Sequence, residues 1–146
     1  NPILINELAK AFGSQCVTVG IDSMQHNDQY IVYSKTGSVK TSFNTKILTK
    51  DWIMKVQELG AGEIVLNCMN QDGVKRGFDI KQLNYMSDVI NVPLIASGGA
   101  GKEKDFYNVL TNPKISGALA ASVFHNNEIQ ITDLKNFLKQ NNIHIR

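Results

Sequence analysis

The sequence predicts an α/β fold in which parallel strands are covered by helices, and three observations carry that expectation. Helical and strand-like patterns alternate along the 146 residues with little between them. The strand-like runs are apolar at successive positions, the pattern of strands buried on both faces. Two of them, Leu94-Ile-Ala-Ser97 and Gly117-Ala-Leu-Ala-Ala121, end in glycine or serine just before a helical pattern. Such strand ends offer free backbone N–H groups and a positive helix terminus, which suits an anion. Two in succession fit the last two units of a β/α barrel, where phosphate sites are built.

Each element has its own residues behind it. Ile5, Leu8, Ala9 and Phe12 recur at helical spacing and predict an inward helix face. Asn1 is its N-cap, Pro2 its first helical residue and Gly13 its stop. Cys16-Val-Thr-Val-Gly-Ile-Asp22 reads as a buried strand ending on a carboxylate. Residues 29–34 and 38–42 alternate around Thr36-Gly37, the pattern of an exposed β-hairpin inserted after the first strand. The next helix has Thr49 as N-cap, Trp52, Ile53, Val56 and Leu59 as its stripe, and Gly60 as its end. Residues 63–68 form the second strand. A polar loop, 70–77, leads to a helix capped by Asp79 with Ile80, Leu83, Met86 and Ile90 inward. Residues 92–96 are the third strand, and Phe106, Val109 and Leu110 mark the helix after it. Residues 118–121 are the fourth strand, and the closing helix starts at Thr132 and buries Leu134, Phe137 and Leu138.

Four strand–helix units make half of a TIM-type (β/α)8 barrel, since a complete one needs about 250 residues. The expected organisation is therefore a single domain over residues 1–146, a half-barrel with two open edge strands that something must cover. The chain opens directly on a helix without an initiator Met, which favours a truncated sequence over a natural half-barrel.

Composition narrows the function classes. Hydrophobic residues at 42% and charged residues at 19% describe an ordinary soluble globular protein. A net charge of +2 with scattered lysines argues against nucleic acid. No apolar run approaches the roughly 20 residues that span a bilayer. Cys16 and Cys68 both lie in strand-like runs and read as buried, reduced thiols of a cytoplasmic protein. His26, His125 and His144 are far apart and none has a neighbour at metal-ligand spacing, so no metal is expected.

Candidate chemistry gathers at the carboxyl ends of the strands, where parallel β/α folds place it. Asp22 ends the first strand and suits general acid/base work; it also suits a cap or turn. Asn67 and Asn70 follow the second strand. Asp72-Gly73 is equally a turn pair and a ligand-binding pair. Ser97-Gly98-Gly99 serves as a phosphate cradle or as a tight strand-to-helix connection. Ala121-Ser122 ends the fourth strand, and Ser122 is an N-cap whose amide also faces an anion. Glu63 lies at the opposite, amino end of its strand, where a surface salt bridge is the default reading.

At these residues the chain resembles the cyclase subunit of imidazole glycerol phosphate synthase, from histidine biosynthesis. The segments that carry the likeness are Gly20-Ile-Asp-Ser23, Gly60-Ala-Gly-Glu-Ile-Val-Leu66 and Met69-Asn-Gln-Asp-Gly-Val74. They continue with Pro93-Leu-Ile-Ala-Ser-Gly-Gly-Ala-Gly101 and Gly117-Ala-Leu-Ala-Ala-Ser-Val-Phe-His125. The likeness runs from Asn1 to Arg146 and matches the second half of that barrel. It implies a ring-closing lyase that takes ammonia from a glutaminase partner and cleaves an open-chain, bis-phosphorylated ribonucleotide, without cofactor or metal. Two aspartates act as acid and base, one per half-barrel, and Asp22 matches the second-half member. By resemblance, Asp72, Gly73, Ser97, Gly98, Gly99, Ala121 and Ser122 bind a terminal phosphate and the arm that bears it. Thr36, Asn67 and Asn70 lie where polar residues contact the rest of the substrate, and Glu63 matches a charged gate where ammonia enters. Asn at 67 and 70 replaces a hydroxyl residue and an acid of other branches; both still donate and accept hydrogen bonds. Residues 25–47 are the least family-like. They leave open a paralogue that amidates a surface-polysaccharide sugar, beside a non-catalytic phosphate-binding half-barrel that dimerises.

Overall fold

Six strands form one sheet: β1 (Thr18–His26), β2 (Gln29–Ser34), β3 (Phe43–Leu48), β4 (Glu63–Cys68), β5 (Leu94–Ser97) and β6 (Gly117–Leu119). Their spatial order is β3-β2-β1-β4-β5-β6. β1, β4, β5 and β6 run parallel, while β2 pairs antiparallel with both β1 and β3. The helices are α1 (Ile3–Phe12), α2 (Thr49–Glu58), α3 (Ile80–Ser87), α4 (Glu103–Leu110), α5 (Ser122–His125) and α6 (Ile131–Gln140). The computed structural model describes residues 1–145, so Arg146, where the family likeness ends, lies outside the described residues.

The sheet has two unlike faces. Side chains alternate along a strand, and Ile21, Ser23, Ile64, Leu66, Cys68, Leu94 and Ala96 point one way, each at most 2% exposed. With them cluster Ile53 and Val56 of α2, Leu83 and Met86 of α3, Val109 of α4, and Leu134 and Leu138 of α6. The opposite face carries Thr18, Gly20, Asp22, Glu63, Val65, Asn67, Ile95 and Leu119, none of them buried. This corrects the expectation of strands buried on both faces. The parallel strands follow one another across the sheet in chain order, and right-handed crossovers all taken in one direction put every helix on the same side.

Several local expectations are corrected as well. β1 does not stop at Asp22 but runs on to His26, because β2 pairs with it from Asp22↔Tyr33 to His26↔Gln29. The hairpin turn therefore falls at Asn27-Asp28, with Asn27 at φ 54. Residues 38–42 do not form a strand. Ser38 and Thr41 take their bonds locally: the Lys40 amide donates to the Ser38 hydroxyl, and the Thr41 hydroxyl donates to the carbonyl of Lys35, which diverts the backbone from a ladder. The true partner of β2 is β3, which starts at Phe43. Cys16 is exposed, in a 3-10 turn over Ser14–Cys16 that follows Gly13 at φ 87. α1 has no buried residue, and Phe12 is 64% exposed, although Ile5 packs against the core. Thr49 is not a cap but the first residue of α2, fully buried, its hydroxyl spent on Ser23. Ser122 likewise is not an N-cap but the first residue of the short α5, whose N-cap position is Ala121.

Candidate functional site

Register places the polar residues in one row. Asp22 pairs with Asn67, Asn67 with Ser97, and Ser97 with Leu119. All four therefore sit on the open face, near the carboxyl ends of the parallel strands. Neighbouring strands lie about 4.8 Å apart, so roughly 10 Å separates the Asp22 and Ser97 backbones.

Asp22 is held from two sides. The Asn67 side-chain amide donates to Oδ1 at 2.9 Å, and the Thr36 hydroxyl donates to Oδ2 at 2.5 Å. Two donors on two oxygens fix the carboxylate plane while leaving each oxygen a further lone pair. Thr36 reaches it from the loop between β2 and β3, which Lys35, at φ 56, turns back over the sheet.

Beyond Asn67 the row opens into a cleft of about 340 Å³, lined by Asn67, Asp72, Gly73, Ser97, Gly98, Gly99, Ala121 and Ser122 among others. The amides of Gly98, Gly99, Ser122 and Val123 donate to no backbone carbonyl among the described residues. The cleft thus presents free donors from two strand ends and no lysine or arginine in its wall. Gly99 is tight, a Cβ there meeting the Gly77 carbonyl, and so is Gly98. The φ of Gly98 is +90°, and a Cβ there would stand 2.9 Å from both Asn67 Oδ1 and the Cys68 carbonyl, so only glycine brings the turn this close. Asp105, 6% exposed, accepts from the amides of Gly101 and Lys102 and pins the far end of the turn. The first helical turn often carries such an acid, and its place three residues after Lys102 is the sequence signal for it.

The other candidates separate. Asn70 Oδ1 accepts from the Gln25 amide at 2.7 Å, which makes it a brace between β1 and the 69–79 loop, outside the cleft. Glu63 lies four residues below Asn67 on the same face, about 13 Å away at strand rise. It accepts a bond from the Thr18 hydroxyl at 3.1 Å and sits with no lysine or arginine within salt-bridge distance among the described residues. Larger hollows occur elsewhere, such as about 570 Å³ beside Tyr30, Lys50 and Tyr85. Among the described residues, no group of three or more His, Cys, Asp or Glu is placed to hold a metal ion.

Sequence reasoning missed a polar cluster behind the row. Ser23 of β1, Thr49 of α2 and Gln82 of α3 are each 0% exposed. The Ser23 and Thr49 hydroxyls bond at 2.7 Å, and the Gln82 side-chain amide donates to Ser23. Gln82 Oε1 is buried without a partner. Gln82 falls at an inward position, three residues after Asp79 and four before Met86, so helical spacing could have found it. Cys68, paired with Ser23 in the sheet, has its thiol pushed well above the usual range by burial, with Asp79 adding to the effect.

The comparisons with known proteins agree with one another. A family model described as "Histidine biosynthesis protein" matches residues 1–130. The imidazole glycerol phosphate synthase subunit HisF of Pseudoalteromonas translucida (strain TAC 125) is 53% identical over 147 residues, covering 99% of this chain and 57% of that protein. The HisF of Buchnera aphidicola subsp. Baizongia pistaciae is 53% identical over 148 residues, covering 100% and 57%. That of Vibrio campbellii is 53% identical over 148 residues, covering 100% and 58%. The chain therefore spans less than three-fifths of the length of these relatives.

Proposed function

The chain belongs to the histidine biosynthesis protein family, and from that premise we propose that it is half of the cyclase barrel of an imidazole glycerol phosphate synthase. In this reading β1, β4, β5 and β6 with their helices are four units of a TIM-type (β/α)8 barrel. β2 and β3 are an insertion after the first strand, and residues 1–146 are one domain. The rest of the barrel supplies a second carboxylate and a second phosphate site, so the chain is inactive alone.

One observation carries the reading: the in-register row of Asp22, Asn67 and Ser97 leads directly into an amide-lined cleft. The cleft takes one terminal phosphate of a bis-phosphorylated formimino-aminoimidazole carboxamide ribonucleotide on the amides of Gly98, Gly99 and Ser122. Asp72 is a poor neighbour for a phosphate but a good acceptor for a hydroxyl of the arm. With that end fixed, the reacting carbon meets Asp22 without a search. Ammonia adds to the keto carbon. Asp22 takes a proton from the nitrogen that adds and gives it to the departing oxygen or nitrogen, while the carboxylate of the other half accepts another, closing the imidazole ring and releasing the carboxamide ribonucleotide. Thr36 and Asn67 keep the Asp22 carboxylate turned toward the row. Ammonia comes from a glutaminase subunit docked at the opposite end, where Glu63 acts as the gate. No cofactor or metal takes part. No helix among the described residues is long and apolar enough to cross a membrane, and we place the enzyme in the cytoplasm.

Replacing Asp22 with Asn in the full-length protein tests the assignment. Ammonia-dependent turnover is expected to fall about 100-fold or more, the usual contribution of an acid/base group, with substrate affinity nearly unchanged. Undiminished turnover removes Asp22 from the chemistry.

A further inference from the structure

We propose that Lys75 is the cationic ligand of the phosphate in this cleft, held off it in the empty state by Glu128. The inference rests on the phosphate reading above and adds a residue to it. Two observations lead there. The cleft wall has no cation and includes Asp72, so a dianion is held by neutral amides against a nearby carboxylate. Meanwhile Lys75, two residues beyond the lining Gly73 and not itself part of the wall, is tied to an acid. Its Cβ lies 3.0 Å from where a Cβ on Gly101 would be. Its backbone is therefore seated on the same glycine turn that lines the cleft. Its ammonium reaches across to Glu128 Oε1 at 2.5 Å, on the segment just after α5, the helix that Ser122 begins. Lys75 and Glu128 are 39% and 36% exposed, and an ion pair this wet contributes little by itself.

The flexible four-carbon stem lets the ammonium trade one oxygen acceptor for another with a small rotation. A phosphate dianion offers more charge and more acceptor oxygens than a carboxylate. Asn126, which also donates to Glu128 Oε1 at 3.1 Å, remains to satisfy the carboxylate when Lys75 leaves. Glu128 then competes with the ligand for one cation, and this predicts opposite signs for the two substitutions. A clamp that merely joined the cleft walls would be weakened by losing either partner.

The test follows the amides of Gly98, Gly99 and Ser122 by NMR in the full-length protein during titration with inorganic phosphate and with glycerol 3-phosphate, at constant ionic strength. Lys75→Gln is expected to weaken binding roughly tenfold, the scale of one charge-assisted bond. Lys75→Arg should restore most of it, and Glu128→Gln should tighten binding about two- to fivefold. Weaker binding in Glu128→Gln, or unchanged binding in Lys75→Gln, overturns the proposal while leaving the phosphate cleft standing. Absence of any shift at these amides in the unmodified protein overturns the cleft and the proposal together.

Discussion

Gln82→Met asks whether the buried polar cluster stabilises the fold. Gln82 makes one side-chain bond, to Ser23, and leaves Oε1 buried without a donor. Turning the amide over does not help, because the nitrogen would then be the stranded atom. A buried unsatisfied acceptor costs about 1–3 kcal/mol, whereas one neutral hydrogen bond contributes about 0.5–1.5 kcal/mol net. Methionine has nearly the same length and no polar group to satisfy. Ser23 keeps its bond to Thr49 at 2.7 Å, so no new orphan arises. The balance favours the variant by about 1 kcal/mol, or about 2–4 °C in Tm for a chain of this size. Urea unfolding of both proteins, with equal m-values, measures the difference. A loss of more than about 1.5 kcal/mol would refute the reasoning, since one neutral hydrogen bond could not account for it.

The remaining predictions concern the turn and the thiols. Gly98→Ala forces a side chain into φ +90° and onto Asn67 Oδ1. It should cost about 1–3 kcal/mol in stability and lower turnover as well, because Asn67 is moved off Asp22; turnover and urea midpoint together check this. A thiol reagent at pH 8 should label Cys16 quickly and Cys68 only after unfolding, since one is exposed and the other buried with a raised thiol pKa; peptide mapping identifies the labelled site. The folded state holds the Cys68 proton longer than the unfolded one. That stabilisation is complete below about pH 8.5 and is lost as pH rises beyond it. Tyr30, also raised by burial, acts in the same direction above about pH 10. Urea midpoints between pH 7.5 and 9.5 should therefore fall less steeply in Cys68→Ala.

Much of the fold is written in local pattern. Residues 63–68 are β4 to the residue, because an apolar run bounded by Gly62 and a polar loop has one plausible reading. The Asp79 cap is there too, accepting from the Gln82 amide at 2.9 Å. The residues that line the cleft were legible as a group because they fall at strand ends, where glycine and serine mark tight turns. What escaped depends on partners distant in the chain. β1 outruns Asp22 because β2 returns to pair with it, and nothing in Ser23-Met-Gln-His26 announces that. Cys16 looked like part of a buried strand until the turn after Gly13 carried it outward. Asn70 looked like a ligand, and only the three-dimensional placement of the Gln25 amide shows what its oxygen does. Ser23, Thr49 and Gln82 gave no warning as a group because they come from three separate elements.

Asp22 also guards the assembly of the sheet. Its chain neighbours Ile21 and Ser23 are 2% and 0% exposed and point into the helices. Sliding β1 by a single residue against β4 would swap these roles, driving an ionised side chain into hydrocarbon and leaving isoleucine in water. Burying a bare charge costs far more than any ladder bond returns. The carboxylate proposed to move protons thus also serves as the key that lets only one alignment of the two strands close.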